Sequence, residues 1–484
     1  MQTLETPNNT AVRSAIAVLV VVCTAQFMLL IDDTIVNVAL PSIAQDMKLT
    51  ESALSWIPNA YLLMFGGFLL IGGRMADLLG RRRVFMVSMG AFVTASVVAG
   101  LSQDPTMLSI SRGAQGLAGA FMSPAALSIL LATFTEDKER TRALAAWSSL
   151  TALGAATGVL LGGALTQLIS WHWIFWINLP IGLVTMAAAA RLVPAGERHE
   201  ATQAPGLSSA VLGTAALLSF VYTIVETGTQ GWTGGRTLGG FAITALFAVG
   251  FVISERRSDS PLVPSAVVRR PNIALGNLYM FLAAAGLIAM FFFVTLYLQI
   301  VKGMSPFEAG AAWIPFSLTL GVFSGVTAKL IERFSAIPFL VAGALVAAVG
   351  TFAMAQIGPE TAYWSGVMPS MMLIAGGFGL AFVPLLGVAT SGVEERNAGI
   401  ASGLLTSNQQ IGGAVGIAAL VTIASSVTDG RVADGVTRSL ALIDGFQTAL
   451  YVQAGVLVVA AVVGVLIGAV ARESGHIEAL PVPA

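Results

Sequence analysis

Asp32 and Asp33 stand side by side in LIDDTIVNVALP, residues 30–41, near the end of an apolar run that begins at about Ser14. A charge at the centre of a membrane helix costs about 2.5–3.5 kcal/mol on insertion scales. Ionisable groups kept at that cost usually face a cavity and work there. The chemistry open to such a carboxyl is reversible protonation. Desolvation favours the neutral acid and a nearby cation favours the carboxylate, so a group balanced between the two can exchange protons with a gradient. Arg112, in LSISRGAQGLAG, is the candidate cation. It lies about five residues below the outer end of its apolar block, and Asp32 about seven below that of its own; at about 1.5 Å per residue the two levels differ by only about 3 Å. Protonation of Asp32 would then loosen its tie to Arg112 and bias the helices toward the opposite-facing state. The alternative is a static pair that fixes the packing of the two helices. Asp33 points about 100° away from Asp32 around the helix, so the two acids cannot share one direction.

The elements that carry these residues follow from composition. Of 484 residues, 56% are hydrophobic and 10% charged, with a mean hydropathy of +0.83; soluble proteins carry about 25% charged residues. Apolar blocks of about 18–28 residues are each long enough to cross a bilayer core of about 30 Å. Fourteen spans are expected, at 15–39, 53–73, 84–103, 107–131, 143–168, 175–193, 208–226, 237–254, 273–300, 308–330, 337–357, 364–389, 398–426 and 446–470. With the N-terminus in the cytoplasm, eighteen of the 24 basic residues fall inside, five outside, and Arg112 within a span. That bias supports both the count and the orientation, with both termini cytoplasmic. The fold class expected is an all-α polytopic membrane protein. GRMADLLGR (73–81) is echoed by GVTAKLIER (325–333), with Gly, Ala, Leu and Arg in register. The echo divides the chain into a six-span bundle (1–193), two inserted spans with cytoplasmic linkers (194–271), a second six-span bundle (272–470) and a short tail (471–484). Paired six-span halves are a recurrent transporter plan, with the site between them at mid-membrane.

GGRMADLLGRRR fits the signature G-x-x-x-D-x-x-G-R-[KR]-[KR] through Gly73, Asp77, Gly80, Arg81, Arg82 and Arg83. On that motif the chain resembles the major facilitator superfamily. LIDDTIVNVALP, WHWIFWINLPIG (171–182) and LYLQIVKGMSPFEAG (296–310) make it similar to the fourteen-span drug:proton antiporters, the QacA/EmrB-like group. The resemblance implies a major facilitator fold of two six-helix bundles plus two inserted helices. It implies that Asp77 pairs with Arg81 and with a helix N-terminus of the other half, latching the cytoplasmic side shut. Arg112, Gln115 and Gly116 match the family's R-x-x-Q-G element. Gly154, Gly158, Gly162 and Gly163 match its antiporter motif, in which Val159 stands at the position of a proline. Asp32 aligns with the family's acid. Asp33 stands where a small residue is more usual, as a second cation contact or an outer-mouth residue, and His172 stands where the family has Arg.

Glu226 and Glu308, toward the outer ends of their spans, are a candidate coupling acid and a loop-end acid. Asn37, Gln115 and Asn408, with Phe27, Tyr61, Phe65, Met122, Tyr279, Phe291 and Trp313, are expected to line an adaptable pocket, in which carboxylate charge and aromatic faces would suit a lipophilic cation. Net charge is −1 and gives no case for nucleic acid; Cys23 is the only cysteine, and the histidines are His172, His199 and His476. No G-x-x-x-x-G-K-[ST] nucleotide loop, H-E-x-x-H or G-x-S-x-G occurs, so an ion gradient rather than a nucleotide, metal or other cofactor is the expected driver. The expectation is a secondary exporter of lipophilic drugs in the cell membrane, exchanging them for protons. Its rivals are export of a specific antibiotic or metabolite, proton-coupled uptake, and a non-transporting membrane sensor.

Overall fold

A computed structural model describes residues 9–194, 206–258, 261–263, 270–391, 393 and 395–473. Much of the two linkers around 194–207 and 255–271, and the tail beyond 473, lie outside the described residues. Fourteen helices account for the described chain: α1 (Asn9–Asp46), α2 (Glu51–Leu79), α3 (Arg81–Gly100), α4 (Pro105–Thr133), α5 (Asp137–Leu168), α6 (Trp173–Leu192), α7 (Leu207–Gln230), α8 (Gly235–Arg257), α9 (Pro271–Val301), α10 (Pro306–Leu330), α11 (Ala336–Met354), α12 (Tyr363–Thr390), α13 (Glu395–Ala433) and α14 (Arg438–Glu473). Thirteen are long and apolar enough to cross a membrane. α5 opens on the charged turn DKERTR, and its described apolar stretch runs from Ala156 to Leu168. At 32 residues it still has the length for the span expected at 143–168.

Helix ends are marked by local chemistry. The Asp104 carboxylate accepts from the Thr106 and Met107 amides at 2.9 Å and starts α4. Ser305 and Glu308 form a capping box at the start of α10, in which each side chain satisfies an amide the helix leaves free. Glu308 is thus a helix-capping acid. Gly80, at φ +93°, makes the turn between α2 and α3 in a conformation that costs a residue with a Cβ.

The first six helices pack on one another, as do the last six. Two seams join these groups: α2 with α13, and α5 with α10. The inserted helix α7 packs on both α2 and α13, and α8 packs on α7. A Cβ on Gly67 of α2 would run into Thr214 of α7, while Thr422 of α13 donates to the Ile224 carbonyl of α7 at 3.3 Å. On the side of the α2–α3 turn the chain after α8 is tied down. The Glu255 carboxylate accepts from the amides of Leu262 and Val263, both at 2.9 Å. Arg74 donates to the Pro261 carbonyl, and Leu262 is buried with Ile71 and Ala210.

Candidate functional site

The apolar faces of α1, α3, α4 and α6 leave one polar knot between them. Arg112 Nη1 donates to Asp32 Oδ2 at 2.5 Å. Gln115 Nε2 and Asn178 Nδ2 donate to Asp32 Oδ1 at 2.9 and 2.8 Å. The same two amides reach Ser96 Oγ, which donates to the Phe175 carbonyl at 2.9 Å. Arg112 also donates to Gln115 Oε1 at 3.0 Å, and its guanidinium lies 4.3 Å from the centre of the Tyr61 ring. Asp32 is 0% exposed and Arg112 1%. The depth argument therefore pairs two side chains that do meet. Its companion expectation, a water-accessible cleft around Asp32, does not hold in this arrangement. The carboxylate is wrapped by protein because three donors, one of them a cation, converge on it from within one bundle. Asp33 is half-buried, and its carbonyl accepts from Asn37 at 3.2 Å.

The glycines of α5 hold that helix against the Asp32 segment of α1. A Cβ at Gly154 would come to 2.7 Å from Leu30 Cβ, one at Gly158 would strike the Thr34 hydroxyl, and one at Gly162 would lie 2.7 Å from the Ile35 carbonyl. Gly163 faces the other way in function. A Cβ there would sit 2.8 Å from Phe307 Cα on α10, and Gly310 of α10 in turn backs onto the Val159 carbonyl. One glycine face thus ties the segment bearing the acid to the joint between halves. Gln299 Nε2 adds a bond to the Val38 carbonyl at 2.8 Å, and the Phe307 amide one to Gln167 at 3.1 Å. The Gly162, Gly163, Gln299 and Phe307 contacts lie on the side read from the basic residues as outer.

At the opposite side, Asp77 and Arg81 pair at 3.6 Å and are 63% and 42% exposed. Arg81 reaches the Ser128 carbonyl of α4 and Arg82 the Ala190 carbonyl of α6 at 2.5 Å. The side chains at 394–398, where α13 begins and where a helix N-terminus of the second half could receive Asp77, lie outside the described residues. Gly73 is close to Pro124 of α4.

Several expected pocket residues are placed elsewhere. Tyr279 is buried inside the second bundle, its hydroxyl bonded to the Leu340 carbonyl at 2.7 Å. Met122 and Trp313 are 0% exposed. Trp313 stacks on Phe291 at 4.1 Å, joining α9 to α10. Gln115 belongs to the Asp32 knot, and Phe65 is buried against Tyr61 and α4. Phe27, Asn37 and Asn408 are half-buried, with Asn408 bonded to Asn277 at 3.0 Å. Burial among neighbouring helices, not exposure to an interbundle space, explains these apolar side chains. Glu226 is placed apart from the Asp32 knot. It pairs at 3.9 Å with Arg236 of α8, on the inserted hairpin, whereas the Asp32 knot lies between α1, α3, α4 and α6. His172 stacks on Trp171 at 3.7 Å; burial lowers its imidazole below the ordinary value and Asp46 opposes this. Ser96 and Asn59 are functional candidates that pattern reading passed over. Only a polar residue interrupting an apolar face could have signalled them.

Two six-helix groups joined along two seams, with a buried ion pair inside the first, define a polytopic membrane protein of transporter architecture. The Major Facilitator Superfamily model matches residues 22–417. The chain belongs to that superfamily. It is 35% identical to the puromycin resistance protein pur8 of Streptomyces alboniger, over 92% of this chain and 89% of that one. It is 36% identical to the cephamycin export protein CmcT of Amycolatopsis lactamdurans, over 89% of each. Among solved structures, the peptide-transporter-family protein PepTSo aligns with a TM-score of 0.70 at 14% identity, covering 96% of this chain and 99% of that one; that likeness concerns the fold.

Proposed function

We propose that the protein is a secondary active exporter of lipophilic, antibiotic-like compounds, working by alternating access in exchange for protons across the cell membrane, with both termini in the cytoplasm and no cofactor. The observation that carries the coupling is the Asp32–Arg112 pair, fully buried and held at 2.5 Å. A proton arriving from outside neutralises Asp32, releases Arg112 to its remaining partners, Gln115 and the face of Tyr61, and frees α1 to move with α5. Export completes when the proton leaves to the cytoplasm and the pair reforms. Asp77 and Arg81 act as the cytoplasmic latch, closed in the outward-facing state. The cargo class is supported by the resistance and export functions that the relatives' names carry. Those names favour, as a second reading, a single antibiotic or a narrow set. Accumulation assays in cells with a panel including puromycin, a cephamycin and lipophilic cations separate the two: broad efflux supports the first, efflux of one compound the second. Accumulation unchanged by expression for every compound, or efflux that persists after the proton gradient is collapsed, refutes proton-driven export.

A further inference from the structure

Asn59 is fully buried, and both atoms of its side-chain amide lack a partner among the described residues. Its place on α2 can be worked out. Gly66, seven residues on, faces α13: a Cβ there would lie 3.0 Å from Gln410 Cβ and 3.1 Å from Ile411 Cγ1. Seven residues return a helix to within about 20° of one direction. Asn59 therefore presents to α13. The opposite side of α2 is taken by α4, since Arg112 donates to the Ile57 carbonyl and Gly116 backs onto Tyr61. The two helices run antiparallel, which sets Asn59 at the level of Ile417 and Ala418, both fully buried. The outer end of this face is polar again. The Glu51 carboxylate lies beside Ser425 and feels the charges of Arg438 and Asp429, yet neither Glu51 Oε2 nor Ser425 Oγ makes a well-formed hydrogen bond.

We propose that these stranded groups, Asn59 above all, are a built-in opening bias for the outer gate along the α2–α13 seam. Closing the seam strips polar groups of water without replacing it, and that loss is recovered only when the seam opens. The inward-facing closure is thereby kept shallow, so that the cycle is not trapped after cargo has left. This rests on the alternating-access reading above.

The test uses the full chain with Cys23→Ser and a reporter, Ser55→Cys, on the same face of α2 and fully buried here. A membrane-impermeant maleimide added outside labels it only when the outer seam opens. Asn59→Leu keeps the branching of the side chain and removes its polarity. It should slow labelling about tenfold, equivalent to about 1.4 kcal/mol, reduce export in step, and raise the thermal midpoint of the solubilised protein. Asn59→Ala, which adds no bulk, should also slow labelling, and Asn59→Ser should retain the wild-type rate. Labelling that is unchanged or faster in Asn59→Leu, or a lowered midpoint, overturns the proposal. So does slowing confined to the Leu variant, which would make bulk the cause. Because labelling does not depend on cargo, an exporter reading that fails in drug assays leaves this result separately readable.

Discussion

Replacing Asp32 by Asn tests the ion pair and the coupling together. The amide has nearly the shape of the carboxylate, so packing between α1, α3, α4 and α6 is kept. What changes is charge and donor count. All three groups that reach Asp32, from Arg112, Gln115 and Asn178, are donors, and the new Nδ2 must turn toward one of them. Arg112, 1% exposed, is left with Gln115 Oε1 at 3.0 Å, the Ile57 carbonyl at 3.4 Å and the Tyr61 face. Removing one partner of a buried pair costs about 3–5 kcal/mol. The remaining acceptors put this case at the lower end, about 3 kcal/mol. Reconstituted vesicles with an imposed pH gradient should show drug export lost by at least tenfold, and purified protein should no longer release protons on adding drug. Thermal unfolding should shift downward. Export by the variant at the wild-type rate would refute the coupling argument. An unchanged unfolding midpoint would refute the reading of the pair as a buried, uncompensated charge once broken.

The remaining predictions address the joints, Asp77 and Glu226. Gly158→Val places a branched side chain on Thr34, so α5 must withdraw from α1; at about 1–3 kcal/mol for overpacking, the variant should lose stability and export, whereas Gly321→Val, in open space on α10, should do neither. Asp77→Asn should cut transport severalfold at normal membrane insertion, and equal transport by well-inserted protein would remove the latch. Glu226→Gln should leave proton release intact and alter stability by less than about 1 kcal/mol, since its 3.9 Å partner Arg236 is largely exposed; abolished proton release would place Glu226 on the coupling path.

Much of the architecture was legible because bilayer thickness imposes itself on composition. Blocks long enough to span gave the order and number of the helices. The Asp32–Arg112 pairing was readable for a related reason: depth along a span converts residue counts into height. What depth cannot supply is rotation. In a lipid-facing bundle nearly every face of a helix is apolar, so no amphipathic stripe reports which side meets a neighbour. Tyr279, Met122 and Trp313 were therefore assigned to a pocket and sit in bundle interiors, while Ser96 and Asn59 looked like ordinary interruptions. Helix ends escaped for another reason. α1 continues through Pro41 to Asp46, beyond the end expected at 39, because apolar composition marks where a span lies and not where its helix stops.

The inserted hairpin makes the molecule lopsided toward its surroundings. One flank, where α2 meets α13, is roofed by α7 and α8, and the chain after α8 is pegged under it by Leu262, Arg74 and Glu255. Among the described residues, no inserted helix covers the other flank, where α5 meets α10. A greasy solute drifting sideways through the lipid thus encounters a shingled wall on one approach and a bare glycine hinge on the other.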